Sequence, residues 1–341
     1  MATMKAWQFR GASGPVEKTL VCPESGVSKP KPTDTEVIVE VFSTTLNPID
    51  FKILELGALS KFIFHKPVTP GLDICGRVVE VGSKVGSFHV GDIVFGCVDG
   101  VFGHGALAEF VQVSQDRVVL VPEGLNPEDL GTITTVGLTT YQGFKPYVKA
   151  GDRVFINGGS GGTGVLAIQV AKAMGLNVTT SCSTPNVELC KSLGADEVLD
   201  YKKADIVEQL KELGKPFNLI LDNVGTPSNL YRASNKFLAR DGTFVQVGLG
   251  MDFSALRQFL GNILLPGFLG GGKCKYLFTV TKPNQTDLKQ LAIWVEKGQV
   301  KPVVDSVYDF KATPEAFARL KTGRARGKVI VRVKETTYKI L

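Results

Sequence analysis

Between residues 153 and 184 the chain reads RVFINGGSGGTGVLAIQVAKAMGLNVTTSCST: an apolar run, a glycine-rich loop, a helical pattern and a second apolar run. Gly159, Gly161 and Gly164 form G-x-G-x-x-G, a motif that gains meaning from the strand before it and the helix after it. In that setting the first glycine permits the tight turn. The second lets the backbone approach a pyrophosphate, and the third lets the helix lie close on the sheet. Free N–H groups at the helix start, together with its dipole, then bind phosphate. Gly159, Ser160, Gly161, Gly162, Thr163 and Gly164 are therefore expected to hold a dinucleotide. A glycine turn with no ligand is the plainer alternative.

The surrounding texture sets the fold class. Up to about residue 125 the chain is β-rich, with EVIVEVF (36–42), GRVVEVG (76–82), DIVFGCV (92–98) and RVVLVP (117–122) bounded by turn residues. From 127 onward strands alternate with helices: RVFIN (153–157), NVTTSC (177–182), EVLDY (197–201), LILDNV (219–224) and TFVQVG (243–248) read as strands. This alternation predicts an α/β Rossmann domain, a doubly wound parallel sheet. Two helical segments and a final strand, GKVIVRV, follow. The stretch 251–274 is apolar but broken by Pro266 and glycines, which suits a subunit interface or a pocket wall.

The second strand bears on which dinucleotide binds. NAD sites place an acid about 20 residues past the glycines to hold the ribose 2′-hydroxyl. Here the run is TTSCSTPN, with no acid before Glu188. Ser183 and Thr184 can donate to a 2′-phosphate, so NADP(H) is favoured. Alternatively these hydroxyls only cap the next helix.

Charge and composition narrow the function class. The chain has 341 residues, 43% hydrophobic and 21% charged, which suits two globular domains. No apolar run approaches the roughly 18–20 residues of a membrane span, and the start lacks a signal-peptide layout, so a cytoplasmic enzyme is expected. Cys22, Cys75, Cys97, Cys182, Cys190 and Cys274 form no CxxC pair, which argues for reduced thiols. The formal charge of +6 is concentrated in residues 311–341, where nine Lys and Arg face Glu315 and Glu335. Without interleaved stacking aromatics this is no nucleic-acid stripe. It is a solvated face or a contribution to binding a phosphate-bearing cofactor.

NPIDFK (47–52), PGLDICGRVVEVG (70–82), GDIVFG (91–96), VGLTTYQGF (136–144), the glycine loop, SLGADEVLDY (192–201) and GRARGKVIV (323–331) occur in one order along the whole chain. Together they resemble the zinc-free quinone oxidoreductase branch of the medium-chain dehydrogenase/reductase superfamily, which includes zeta-crystallin-like and chloroplast-envelope quinone oxidoreductase-like enzymes. The resemblance implies a GroES-like catalytic domain (1–126 and 284–341) around a Rossmann domain (127–283), a cleft between them as active site, and a homodimer. Zinc-dependent relatives carry Gly-His-Glu where this chain has PGLD, so Leu72 and Asp73 stand in place of the histidine and glutamate. The four-cysteine lobe after GDIVFG is absent, and His65, His89 and His104 read as surface or packing residues. No metal is expected.

Without a Lewis acid, simple alcohols become poor substrates and an activated acceptor is needed. Hydride would pass from NADPH to a quinone or to the β-carbon of an enone, with donors stabilising the oxyanion. The resemblance carries Asn47, Asp50 and Lys52 over as active-site residues. The local alternative is an Asn47-Pro48 turn with Asp50 capping a helix FKILELG. Thr139 matches a position that contacts the nicotinamide amide, and Ser183 and Tyr201 match positions near the 2′-phosphate. Relatives often have Lys or Arg at the position of Pro185 or Asn186; here Arg324 would have to compensate. Asn223, Val224 and Gly248 lie at strand ends, where open α/β sheets bind ligands. Two alternatives stand beside this reading: a trans-acting enoyl reductase of a polyketide-type pathway, and an NADPH-binding structural or sensor protein with little turnover.

Overall fold

The computed structural model describes residues 2–11, 14–57, 60, 66–98, 104–250, 253–264 and 273–334. His65, parts of the 251–274 stretch (251, 252 and 265–272), Glu335 and Lys339 lie outside them. The chain divides into two compact units. One comprises residues 1–135, 283–298 and 302–341; the other comprises 136–282 and 299–301.

Beginning in the first unit, the main elements are β1 (Glu36–Leu46), α1 (Pro48–Lys52), β2 (Asp73–Val81), β3 (Ile93–Cys97), β4 (Phe110–Ser114) and β5 (Val118–Leu120). Helix α2 (Pro127–Phe144) begins in the first unit and ends in the second. The change of texture at 126/127 marks its start, and the division between units falls inside it. The second unit continues with β6 (Arg153–Asn157), α3 (Gly164–Ala173), β7 (Asn177–Cys182), α4 (Val187–Ser192), β8 (Glu197–Asp200) and α5 (Ile206–Glu212). It ends with β9 (Phe217–Asp222), β10 (Leu238–Gln246), α6 (Phe253–Leu264) and β11 (Lys275–Phe278). The chain's end supplies α7 (Gln285–Glu296), β12 (Val304–Asp309), α8 (Thr313–Lys321) and β13 (Lys328–Arg332).

In the second unit six parallel strands run in the order β8–β7–β6–β9–β10–β11. Counted in sequence this is 3-2-1-4-5-6, the doubly wound Rossmann order that the strand–helix alternation predicts. Val154, Phe155 and Ile156 on central β6 are all fully buried, as a strand covered on both faces requires. The strands stop before several predicted ends: Asn223, Val224 and Gly248 lie past the last ladder residues, Asp222 and Gln246.

The first unit's sheet is mostly antiparallel, β12–β13–β1–β2–β3–β5, with β4 also pairing with β1. Strand β1 pairs with β2, β4 and β13 along its length, which buries most of its eleven residues. The expected helix FKILELG (51–57) is mostly not formed: only Phe51 and Lys52 are helical, residues 53–57 are turns and a bend, and the helix present is α1. It begins at Pro48, whose missing N–H costs nothing at a first helical position, with Asn47 as N-cap.

The glycine loop corrects one detail of the motif. The left-handed turn residue is Gly158 (φ +84°), one position before the motif's first glycine. Gly159 is glycine for another reason: a Cβ there would lie 2.2 Å from Thr180 Oγ1 on β7. At Gly164 a Cβ would meet the Gly158 carbonyl oxygen at 2.0 Å, so the close helix–strand approach demands glycine. At Gly161 the nearest atom would be 3.9 Å away. Gly164→Ala should therefore cost about 2–4 kcal/mol of stability in urea titration, whereas Gly161→Ala should cost less than about 1 kcal/mol.

Candidate functional site

In the second unit, α3 begins directly behind the loop, and the backbone N–H groups of Gly162, Thr163 and Gly164 carry no hydrogen bond among the described residues. Three uncommitted donors at the positive end of a ten-residue helix form an anion cradle. The open side of Gly161 gives a pyrophosphate room to approach. Next to the loop, Asp222 at the end of β9 is buried and accepts from Asn157 Nδ2 (2.8 Å), Val224 N (3.0 Å) and Gly225 N (2.9 Å). Burial pushes its carboxyl upward. These bonds shape the Asn223–Gly225 turn, and both polar atoms of the Asn223 amide are buried without a partner among the described residues. Gly248 lies so close that a Cβ would be 1.9 Å from the Asn223 carbonyl oxygen. The cradle, the open glycine and the unsatisfied amide fit the dinucleotide that the motif implies.

Beyond the end of β7, the Tyr201 N–H donates to the Cys182 carbonyl (3.1 Å), and Lys202 Nζ lies 5.7 Å from the centre of the Tyr201 ring. Asn186 Nδ2 donates to Ser160 Oγ and to Ser183 Oγ, both at 3.1 Å. The acid missing from β7 arrives from β8, because Asp200 is the register partner of Cys182. The Thr184 hydroxyl, and also the Lys202 N–H, hold its carboxyl below the usual range. Ser160, Ser183, Thr184 and Tyr201 are thus neighbours, joined by Asn186, Asp200 and Lys202, which the sequence reading had not assigned.

In the first unit, Asn47 lies at the junction of β1 and α1, and only its backbone shapes the helix start. Its N–H donates to Asp50 Oδ2 (2.7 Å), and the Asp50 N–H donates to its carbonyl (2.9 Å). Its side chain turns the other way: Nδ2 donates to Asp73 Oδ2 (2.9 Å) and to the Thr45 carbonyl (3.4 Å), while Oδ1 accepts from Lys328 Nζ (2.5 Å). Lys328 also reaches Asp73 Oδ2 and the Leu46 carbonyl, each at 3.3 Å. Asp73 further accepts from Thr45 Oγ1 (2.5 Å) and the Thr135 N–H (2.8 Å). Asn47, Asp73 and Lys328 are 3%, 0% and 2% exposed, so this is a closed buried network around one ion pair. In this geometry Asn47 is a strut, and both of its amide protons are committed within the chain.

Asp50 is also buried; its Oδ1 has no hydrogen-bond partner among the described residues, and the residue lines a small pocket with Ile53, Leu54, Thr69 and Leu72. Burial pushes its carboxyl up to about 7, reinforced by the Asp73 charge and opposed by the Asn47 N–H and by Lys328. Lys52 is half-buried, and that burial lowers its ammonium pKa. Arg324 sits exposed in the turn after α8. These residues belong to the first unit. In the second, Thr139 on α2 shares a 2.5 Å hydroxyl–hydroxyl bond with Thr281, and Gln142 pairs with the Lys282 backbone.

Among the described residues no group of three His, Cys, Asp or Glu side chains is placed to hold a metal ion. His89 is exposed, and burial pushes the Cys97 thiol up to about 12, which suits an inert packing residue. No helix among them is long and apolar enough to cross a membrane.

Two family models match parts of the chain. Residues 33–123 match the family model described as an alcohol dehydrogenase GroES-like domain, and 193–331 match one described as a zinc-binding dehydrogenase. A trans-enoyl reductase, pgmF, of Aspergillus terreus is 43% identical, with 98% of each chain covered. A 2-methylene-furan-3-one reductase of Solanum lycopersicum is 33% identical over 96% of this chain and 79% of its own. The solved quinone oxidoreductase of Coxiella burnetii superposes with a TM-score of 0.83 at 27% identity, covering 98% of this chain and 100% of that one.

Asp50 gives the site a measurable pH signature. Its carboxyl titrates near 7 when folded and near 3.8 otherwise, so the folded state holds a proton that the unfolded chain releases between those values. The associated stability is present below pH 4 and lost as pH rises through 7. Asp50→Asn removes this titration. Relative to the unsubstituted protein, the variant should gain about 2–4 kcal/mol between pH 4 and pH 8 in denaturant titrations.

Proposed function

The chain belongs to the medium-chain dehydrogenase/reductase superfamily and is an oxidoreductase, and from that premise we propose a zinc-independent, NADPH-dependent reductase of α,β-unsaturated carbonyls or quinones. The observation that carries the proposal is the glycine loop, whose free N–H groups stand beside the Ser160 and Ser183 hydroxyls. When bound, the reduced nicotinamide supplies a hydride.

The chain's own residues then have distinct tasks. Gly162, Thr163 and Gly164 donate backbone N–H bonds to the pyrophosphate, and Gly161 leaves it space. Ser183, Tyr201 and Lys202 receive the 2′-phosphate, while Thr184 holds Asp200. Lys202 supplies the cation that positions 185 and 186 lack, so Arg324 is not required for it. Asn223 offers its unpaired amide beside Val224 and Gly248, and Thr139, oriented by Thr281, offers a hydroxyl to the carboxamide. Lys52 is the cation able to stabilise an oxyanion that develops on the acceptor. Asn47 and Asp50 hold the segment that presents it. Leu72 in place of a histidine removes a metal ligand, which supports chemistry without zinc.

Support for the acceptor class comes from relatives. Those named for enoyl and furanone reduction are 43% and 33% identical, against 27% for the structure named as a quinone oxidoreductase. Enoyl and enone acceptors are therefore the first to test, and the trans-acting enoyl reductase reading stays alongside them. Loss of cofactor absorbance should be faster with NADPH than with NADH, and fastest with enone or enoyl thioester acceptors. Gly161→Val, which fills the open side of the loop, should weaken NADPH binding at least about tenfold in fluorescence titration while leaving thermal stability nearly unchanged. Equal rates with both cofactors would refute the NADPH assignment. Failure of every acceptor would favour a sensor or structural role.

A further inference from the structure

Asn186 has a role that neither the glycine motif nor the charge count explains. It ends the turn Thr184–Asn186 after β7, and its single Nδ2 atom ties the glycine loop to that strand's end through Ser160 and Ser183. Both serine oxygens accept in these bonds. Each hydroxyl therefore keeps its own proton, and neither has an acceptor for it among the described residues. The amide's Oδ1 is buried and has no partner among the described residues. Reversing the amide would spend both hydroxyl protons on that oxygen and leave a buried NH2 group without an acceptor. A ligand that accepts from both hydroxyls selects the donating orientation. The two hydroxyl oxygens are each 3.1 Å from one nitrogen, so the oxygens of a single phosphate can reach both.

We propose that Asn186 is a positioning residue that presents Ser160 and Ser183 as paired donors to the 2′-phosphate of NADPH, and so sets the dinucleotide preference. This rests on the NADPH reading and names the side chain that produces the preference. Asn186 acts through the two serines without touching the phosphate. Asp200 nearby disfavours an anion, so the hydroxyl pair has a real penalty to overcome; Lys202 offsets part of it.

The test measures binding of adenosine 2′,5′-bisphosphate and of 5′-AMP to the full chain by calorimetry, so no turnover is needed. The unsubstituted protein should favour the bisphosphate by at least about tenfold, the scale of hydrogen bonds to a charged group. Asn186→Leu should remove most of that ratio while 5′-AMP affinity changes less than about twofold. Ser183→Ala should lower the ratio too, and the double variant should lose less than the sum of the two, because both act on one donor pair. Equal affinities in the unsubstituted protein would overturn the NADPH reading and this inference together. A ratio retained in Asn186→Leu would overturn the role of Asn186 alone. An equal loss for both ligands would do the same, since it would place the effect on the shared adenosine 5′-phosphate.

Discussion

The cofactor half depends on one steric fact: helix α3 begins so close to the end of β6 that no side chain fits at Gly164. The carbonyl of Gly158 occupies the place of a Cβ, and Gly158 can turn there only because its φ of +84° suits glycine. The same approach presses Gly159 against Thr180 of the neighbouring strand. Close packing rather than flexibility is therefore what the outer two glycines provide. Its consequence is electrostatic. The loop is short and tight, the N–H groups of Gly162, Thr163 and Gly164 find no acceptor among the described residues, and the helix end remains available to an anion.

A different constraint organises the β-rich unit. Lys328 projects from β13 into the interior, where an ammonium is tolerated only if every proton has a partner. Asn47, Asp73 and the Leu46 carbonyl supply them, and Thr45 and the Thr135 N–H complete the shell of Asp73. Such a pair adds little net stability over an apolar pair, yet removing one partner costs about 3–5 kcal/mol. It therefore fixes geometry more than it stabilises, joining β1, β2, β13 and the start of α1. Asp73 stands where zinc-dependent relatives carry a glutamate beside a metal-binding histidine. Here the carboxylate meets an internal ammonium. Among the described residues Asp50 has no comparable ion pair, and burial, reinforced by the Asp73 charge, pushes its carboxyl up to about 7.

Features carried by local pattern were legible from the residues alone. The strand–helix alternation led to the doubly wound parallel sheet, and the joint motifs led to the superfamily. Side-chain partnerships across long sequence distances were not legible. Lys328 lies 281 residues from Asn47. The only hint was a lysine beginning an otherwise apolar run, GKVIV, which read equally well as one charge in a basic tail. Asp200 was invisible as a neighbour of Ser183 because strand register, not spacing, places it there. Asn186 was counted as a missing cation because residue type alone does not reveal what an amide orients. The apolar run FKILELG did not mark a helix: proline's tolerance at a first turn starts α1 at Pro48, and the helix ends at Lys52.

These two sites satisfy polar groups in opposite ways. The Lys328 network is closed: its donors and acceptors are spent inside the protein, so it can position but cannot bind. The glycine-loop region is open, with two hydroxyl protons, three backbone N–H groups and the Asn223 amide left without acceptors or donors among the described residues. Buried or half-buried polar groups carry a desolvation cost until something pairs with them. Free energy of that kind is recovered when a ligand supplies the missing acceptors, which favours a molecule matching the whole set over one matching part of it. A dinucleotide phosphorylated at the ribose offers acceptors at both ends of the loop. On the proposed reading, selectivity for such a dinucleotide would come from unfinished hydrogen bonds more than from net charge, because Asp200 and Lys202 carry opposite charges and an exposed lysine is screened by salt.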